Sequence, residues 1–115
     1  MSMADPNSPL APAAFLILFA LASGDKHGYA IMREARTISE GGFEIGPATL
    51  YTTIQRLLDS GWIEEVEGPE TSDSRRRYYS LTQQGNATLH AELKRMEAMV
   101  RRSKAMRLRK ADSVL

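Results

Sequence analysis

Apolar and polar residues alternate with different rhythms along this chain, and each rhythm predicts an element. Residues 13–22 are an uninterrupted apolar run. With Pro12 suited to a first helical turn, they predict a helix over residues 13–23, apolar on nearly every side and buried on more than one face. One face can meet its own domain; the other needs a cover, which a partner subunit could supply. Gly24 and Asp25 end it. His27, Gly28 and Tyr29 open a second helix over residues 28–39, where Ile31, Ala35 and Ile38 fall on one side. Gly41 and Gly42 break the chain. A third helix over residues 47–60 has Pro47 near its first turn and stops at Gly61, placed for a left-handed cap. Residues 62–67 read as a strand. Gly68-Pro69 and Ser72-Asp73-Ser74 supply turn chemistry. Residues 76–81 read as the returning strand, with Arg77 inside it and Tyr78 and Tyr79 on opposite faces. Neither strand alternates cleanly. Thr82 can cap a long last helix from about residue 83 to 108.

The third helix carries the most informative pattern. At a hundred degrees per residue, Leu50, Ile54, Leu57 and Leu58 form a core stripe. Ala48, Thr49, Thr52, Gln55, Arg56 and Asp59 lie opposite. Small residues at the helix start allow close approach to a groove floor. Threonine methyls suit the thymine methyl, Gln55 suits adenine, and Arg56 can reach guanine or phosphate. Recognition helices contact bases mainly through their N-terminal residues, so Thr49 and Thr52 are the leading base-edge candidates. Tyr51, on the flank, can pack its ring and offer its hydroxyl to a phosphate oxygen. An amphipathic helix by itself reports only burial; the order of elements around this one gives it meaning. Arg75, Arg76 and Arg77 stand where the hairpin turn meets its second strand. Guanidinium groups there suit phosphate oxygens or a narrow minor groove. They are also placed to pair with Glu64, Glu65, Glu67 or Asp73 as a solvated charge run.

In the last helix Leu89, Leu93, Met96 and Val100 recur at spacings of four, three and four, and Met99 and Met106 broaden the stripe. This is a seam for another helix. With Phe15, Leu18 and Phe19 of the first helix it forms the candidate dimer interface. The methionines make the seam adaptable. Trp62 is expected to anchor the hairpin rather than stack on an effector. His27 is expected to fill hydrogen bonds at a helix entry, and His90 to face solvent or a partner; the two are too far apart for a local metal motif.

Composition narrows the classes. At 115 residues the chain is one domain, or one domain with an appended helix, near the marginal end of burial. It has no cysteine, hence no disulfide framework and no thiolate metal site, which fits a reducing cytoplasm. Net charge is +1 but uneven: residues 94–110 hold eight basic residues and one acid, so the rest of the chain is acidic by six charges. Any DNA-binding face is therefore a local feature. The apolar run at 13–22 is half the length of a membrane span and lacks the preceding positive charge of a signal peptide.

Three pieces in order resemble PadR-type transcriptional regulators, a winged-helix family. They are His27-Gly28-Tyr29 after an apolar helix; Thr49-Leu50-Tyr51 with Arg56-Leu57-Leu58 and Gly61-Trp62-Ile63; and residues 75–82 with Gly85. The resemblance covers about residues 14–100. It implies a homodimeric repressor, often relieved by a small-molecule effector, with a conserved recognition-helix tyrosine at Tyr51 and a dimer built by the terminal helices. The expected fold class is mainly α with a small β-hairpin (α+β): a loose arm over 1–12, a winged helix-turn-helix domain over 13–82, a dimerisation helix over 83–110, and a disordered tail over 111–115. The expected partners are double-stranded DNA, a second copy of the chain and an unidentified effector, with no membrane and no cofactor. The alternative is a winged-helix protein-interaction module without DNA binding, which the acidic body favours. An enzyme is the weakest reading, because no nucleophile has a base beside it, no glycine loop cradles phosphate and no metal cluster is present.

Overall fold

The computed structural model describes residues 9–70 and 75–107. Residues 1–8 of the expected arm over 1–12, the turn residues Ser72-Asp73-Ser74, and residues 108–115, which hold the end of the expected 83–110 helix and the expected tail over 111–115, lie outside the described residues. Four helices and three short strands follow in the order α1 (Pro12–Leu21), β1 (Lys26–His27), α2 (Gly28–Ile38), α3 (Pro47–Asp59), β2 (Ile63–Val66), β3 (Tyr78–Leu81) and α4 (Gln83–Ala105). The fold is α+β: a helix-turn-helix, a hairpin wing and a long C-terminal helix.

Pro12 opens α1 at its first position, where its missing N–H costs nothing. The helix packs against α2, α3, α4 and β3. Ala14, Leu16, Ile17, Leu18, Ala20 and Leu21 are buried within the single chain. The spare face is therefore narrower than the sequence suggested, since α4 and β3 already cover much of it. Phe15 and Phe19 stay half-buried, edge to face at 5.7 Å. Leu10 also packs on this core, so the arm is anchored at its end.

α3 ends as its sequence dictates. Gly61 adopts φ +76°, which only glycine takes without strain. Trp62 N–H donates to Leu57 O and Gly61 N–H to Leu58 O, both at 3.0 Å, the paired bonds of a Schellman cap. Trp62 is 1 % exposed and anchors the wing from the core. Thr82 does two jobs. Its Oγ1 accepts from Gly85 N–H at 3.0 Å, capping α4, and donates to Gly61 O at 2.7 Å.

The strands depart from expectation. β3 begins at Tyr78, so Arg76 and Arg77 precede the strand rather than lie within it. The ladder runs from Ile63↔Leu81 to Val66↔Tyr78. One step further Glu67 would face Arg77, but the partner strand then runs directly into Gly68 and Pro69, which cannot sustain a ladder. The sheet also has a third member. β1 pairs antiparallel with β3, giving the order β1-β3-β2; two residues are too few to leave a sequence rhythm. Tyr79 is buried and Tyr78 half-buried, the opposite faces expected.

α4 runs for 23 residues. Leu89 belongs to the subunit's own core, and Glu92 is 5 % exposed, its carboxylate held by Arg95 at 2.9 Å. Leu93 and Met96 are half-buried, while Met99, Val100 and Met106 stand exposed. Among the described residues no helix is long and apolar enough to cross a membrane.

Candidate nucleic-acid interface

The outer face of α3 is open. Leu50, Ile54 and Leu57 are buried beneath it, each contributing about 1.5–3 kcal/mol of burial. Leu58 is only half-buried, and Thr53, which the expected stripe omitted, is buried instead. That inner contact fixes the helix rotation, so Ala48, Thr49, Thr52, Gln55, Arg56 and Asp59 all face solvent. Gln55 is not idle: its Nε2 donates to Asp59 Oδ1 at 3.0 Å.

The turn between α2 and α3 sets the helix-turn-helix angle. Ile45 is buried in it, Ser39 Oγ accepts from Phe43 N–H at 3.2 Å, and Arg36 pairs with Glu44 at 3.4 Å on the surface. Arg33 lies over the Tyr29 ring, 5.3 Å from its centroid, within cation–π range.

Beside α3 runs a cleft of about 520 Å³, lined by His27, Gly28, Tyr29, Tyr51, Tyr79 and the arginines 75–77. Two separate pieces of the sequence meet here. A Cβ built on Gly28 would sit 2.7 Å from the Tyr51 hydroxyl and 3.2 Å from Cζ. Gly28 is thus small because the Tyr51 phenol lies against it. The arginines 75–77 are exposed along the opposite wall. Arg77 approaches Glu65 at 4.0 Å, with both side chains largely in solvent, a pairing worth little. Arg76 Nη1 lies 3.2 Å from His27 Nε2. Burial, then Arg76, then Arg33 lower the His27 pKa below its ordinary value. Burial, then Glu65, raise that of Tyr79.

Of the expected site residues, the structure brings Tyr51 and the three wing arginines into one cleft. Thr49, Thr52, Gln55 and Arg56 occupy the adjoining face of α3. Leu18 and Leu89 cannot form an interface surface, because both are buried in the single subunit; Phe15, Phe19, Leu93, Met96 and Val100 retain exposed area. Sequence reasoning missed His27 and Gly28 as cleft residues. The signal was the His27-Gly28-Tyr29 triplet, whose glycine has no turn to serve at the start of a helix.

Among the described residues no group of His, Asp or Glu could hold a metal ion. A family model described as "Transcriptional regulator PadR-like family" matches residues 17–91. A transcriptional regulator from Clostridium thermocellum is 30 % identical, with a TM-score of 0.62 over 84 % of this chain and 92 % of that one. A PadR family transcription regulator from Clostridium difficile is 23 % identical, with a TM-score of 0.70 over 84 % and 98 %. Bacillus subtilis PadR in complex with operator DNA is 23 % identical, with a TM-score of 0.64 over 75 % and 48 %. The latter two show likeness of fold. The matched span takes in α3, the wing and most of the surrounding core, and the chain belongs to the PadR-like family of transcriptional regulators, which are not enzymes.

Proposed function

We propose that this protein is a sequence-specific DNA-binding repressor that works as a homodimer on a pseudo-palindromic operator. The observation that carries the reading is the exposure of the small, threonine-lined face of α3 beside a cleft walled by three arginines. Thr49 and Thr52 meet base edges, and Arg56 and Gln55 reach guanine and adenine in the major groove. Tyr51 and the arginines 75–77 hold phosphates or the minor groove alongside. A twofold pair presents two such helices roughly 34 Å apart, one turn of B-DNA. Phe15 and Phe19 of α1 with Leu93, Met96 and Val100 of α4 supply the pairing surface, and Met99 and Met106 extend it. A small molecule bound at that adaptable seam relieves repression. The acidic residues Glu64, Glu65, Glu67 and Glu70 lie on β2 and the segment after it, whereas α3 itself carries a single acid, Asp59, at its C-terminal end, which favours duplex over a protein partner for α3.

The test is a footprint and mobility shift on DNA upstream of the protein's own gene, with sedimentation of the free protein alongside. Protection of two half-sites about one helical turn apart by a dimer is the expected result. A monomer in solution, or no sequence preference on any duplex at moderate salt, refutes the proposal.

A further inference from the structure

His27 is approached by a donor at each ring nitrogen. Ala30 N–H points to Nδ1 at 3.2 Å, and the Arg76 guanidinium lies at the same distance from Nε2. A neutral imidazole has one lone pair and one N–H, so it can accept from only one of them. The Ala30 amide is fixed by the α2 backbone and is one of the first-turn donors that need a partner; His27 is the residue that caps it. The Arg76 side chain is exposed and can turn. The lone pair therefore stays on Nδ1 and the proton on Nε2, facing a guanidinium. The edge of the Tyr78 ring, 5.3 Å away at 85°, holds the imidazole plane. The third donor, after the His27 Nε2–H and the Arg76 guanidinium, is the Tyr51 hydroxyl, which lies against the neighbouring Gly28. All three donors line one cleft, at the N-terminal end of α2, where the helix dipole favours an anion. Converging donors of this kind are the complement of an oxyanion.

We propose that His27 Nε2–H, the Arg76 guanidinium and the Tyr51 hydroxyl clamp one backbone phosphate of bound DNA, with the α2 cap fixing the imidazole tautomer. The clamp rests on the duplex reading above and adds to it a binding residue outside both the recognition helix and the wing. Because His27 donates as a neutral ring, the contact needs no proton uptake. The same nitrogen pair ties DNA contact to the start of α2: the ring that caps the helix is the ring that touches phosphate.

Phosphate contacts carry no sequence information, so the clamp is measured on an arbitrary 30-base-pair duplex at low salt by fluorescence anisotropy. His27→Asn keeps a strong N-cap but is too short to place a donor at the Nε2 position. It should leave the melting temperature unchanged and weaken binding about tenfold, the worth of one hydrogen bond to a charged group. His27→Asp also caps, and its negative charge should weaken binding further. Arg76→Gln should lower the log–log salt slope by about one. Nitrogen chemical shifts of the free protein at neutral pH should place the His27 proton on Nε2. Wild-type affinity in both His27 variants, or a proton on Nδ1, overturns the clamp while leaving the duplex reading in place. A wild-type protein that binds no duplex overturns both.

Discussion

Replacing Gly28 by alanine separates the architecture of the cleft from its use. The new Cβ would lie 2.7 Å from the Tyr51 hydroxyl and 3.3 Å from Cε1. To regain ordinary contact at 3.4 Å the hydroxyl must retreat by about 0.7 Å. Tyr51 is 55 % exposed, so it retreats into solvent by a few degrees of side-chain rotation. A 30° departure from a rotamer costs about 0.5–1.5 kcal/mol, so this smaller one costs a fraction of that. Alanine in a helix interior gains roughly 0.5–1 kcal/mol over glycine, and Gly28, the first residue of α2, should show the lower part of that gain or less. The melting temperature should then hold or rise by a few degrees, at roughly 4–8 °C per kcal/mol for a domain of this size. DNA binding should move the other way, because the hydroxyl leaves its place against Gly28 in the cleft it shares with His27. A partial loss of one charge-assisted bond, about 1 kcal/mol, is a factor of about five in affinity. Thermal denaturation and anisotropy on one preparation read both quantities. A melting temperature lowered by 5 °C or more, or affinity equal to wild type, would refute the reasoning.

Gly85→Ala should behave in the opposite manner. Its Cβ would overlap the Trp62 carbonyl oxygen and lie 2.8 Å from the carbonyl carbon; backbone cannot step aside, so urea denaturation should show a loss near 3 kcal/mol, and a loss below about 1 kcal/mol would contradict the packing described. Thr52→Asp puts a carboxylate on the open face of α3 and should abolish duplex binding at unchanged stability; undiminished affinity would remove Thr52 from the contact set. Arg77→Gln breaks an exposed 4.0 Å pair with Glu65 and should change stability by less than about 0.5 kcal/mol while flattening the salt slope by about 0.9; an unaltered slope makes that arginine a bystander. The His27 pKa is lowered in the fold, so its unfolded state binds the proton more readily. The stability contributed by the neutral ring is complete above its ordinary value of 6.5 and is lost as pH falls through the lower folded value. Urea midpoints from pH 7.5 down to 5 should fall less steeply for His27→Asn than for wild type, and parallel curves would exclude the linkage.

The local rules were legible in the sequence and the long-range ones were not. Pro12, Pro47, Gly61 and Thr82 each mark a helix end through chemistry confined to a few residues, and the structure uses each there. The α3 stripe was readable because Leu50, Ile54 and Leu57 repeat at the helix period, and that stripe alone turns Thr49 and Thr52 outward. The returning strand was overextended because its tyrosines suit a strand and nothing local marks its first residue, whereas the ladder stops at Val66↔Tyr78, short of Gly68 and Pro69. Leu18 and Leu89 read as spare apolar surface because a periodicity shows which residues share a face, not whose face they meet. The cleft was invisible for the same reason: His27 and Arg76 are 49 positions apart, and only the pairing of β1 with β3 brings them together.

The junction at Trp62 has a mechanical consequence. Its carbonyl oxygen accepts from Thr82 N–H at 3.1 Å, Gly85 is pressed against the same group, and Thr82 reaches back to Gly61. The C-terminal end of α3 and the beginning of the 23-residue α4 are thereby keyed together like a blade to its handle. A tilt imposed at the start of α4 is passed to the C-terminal end of α3 through these contacts.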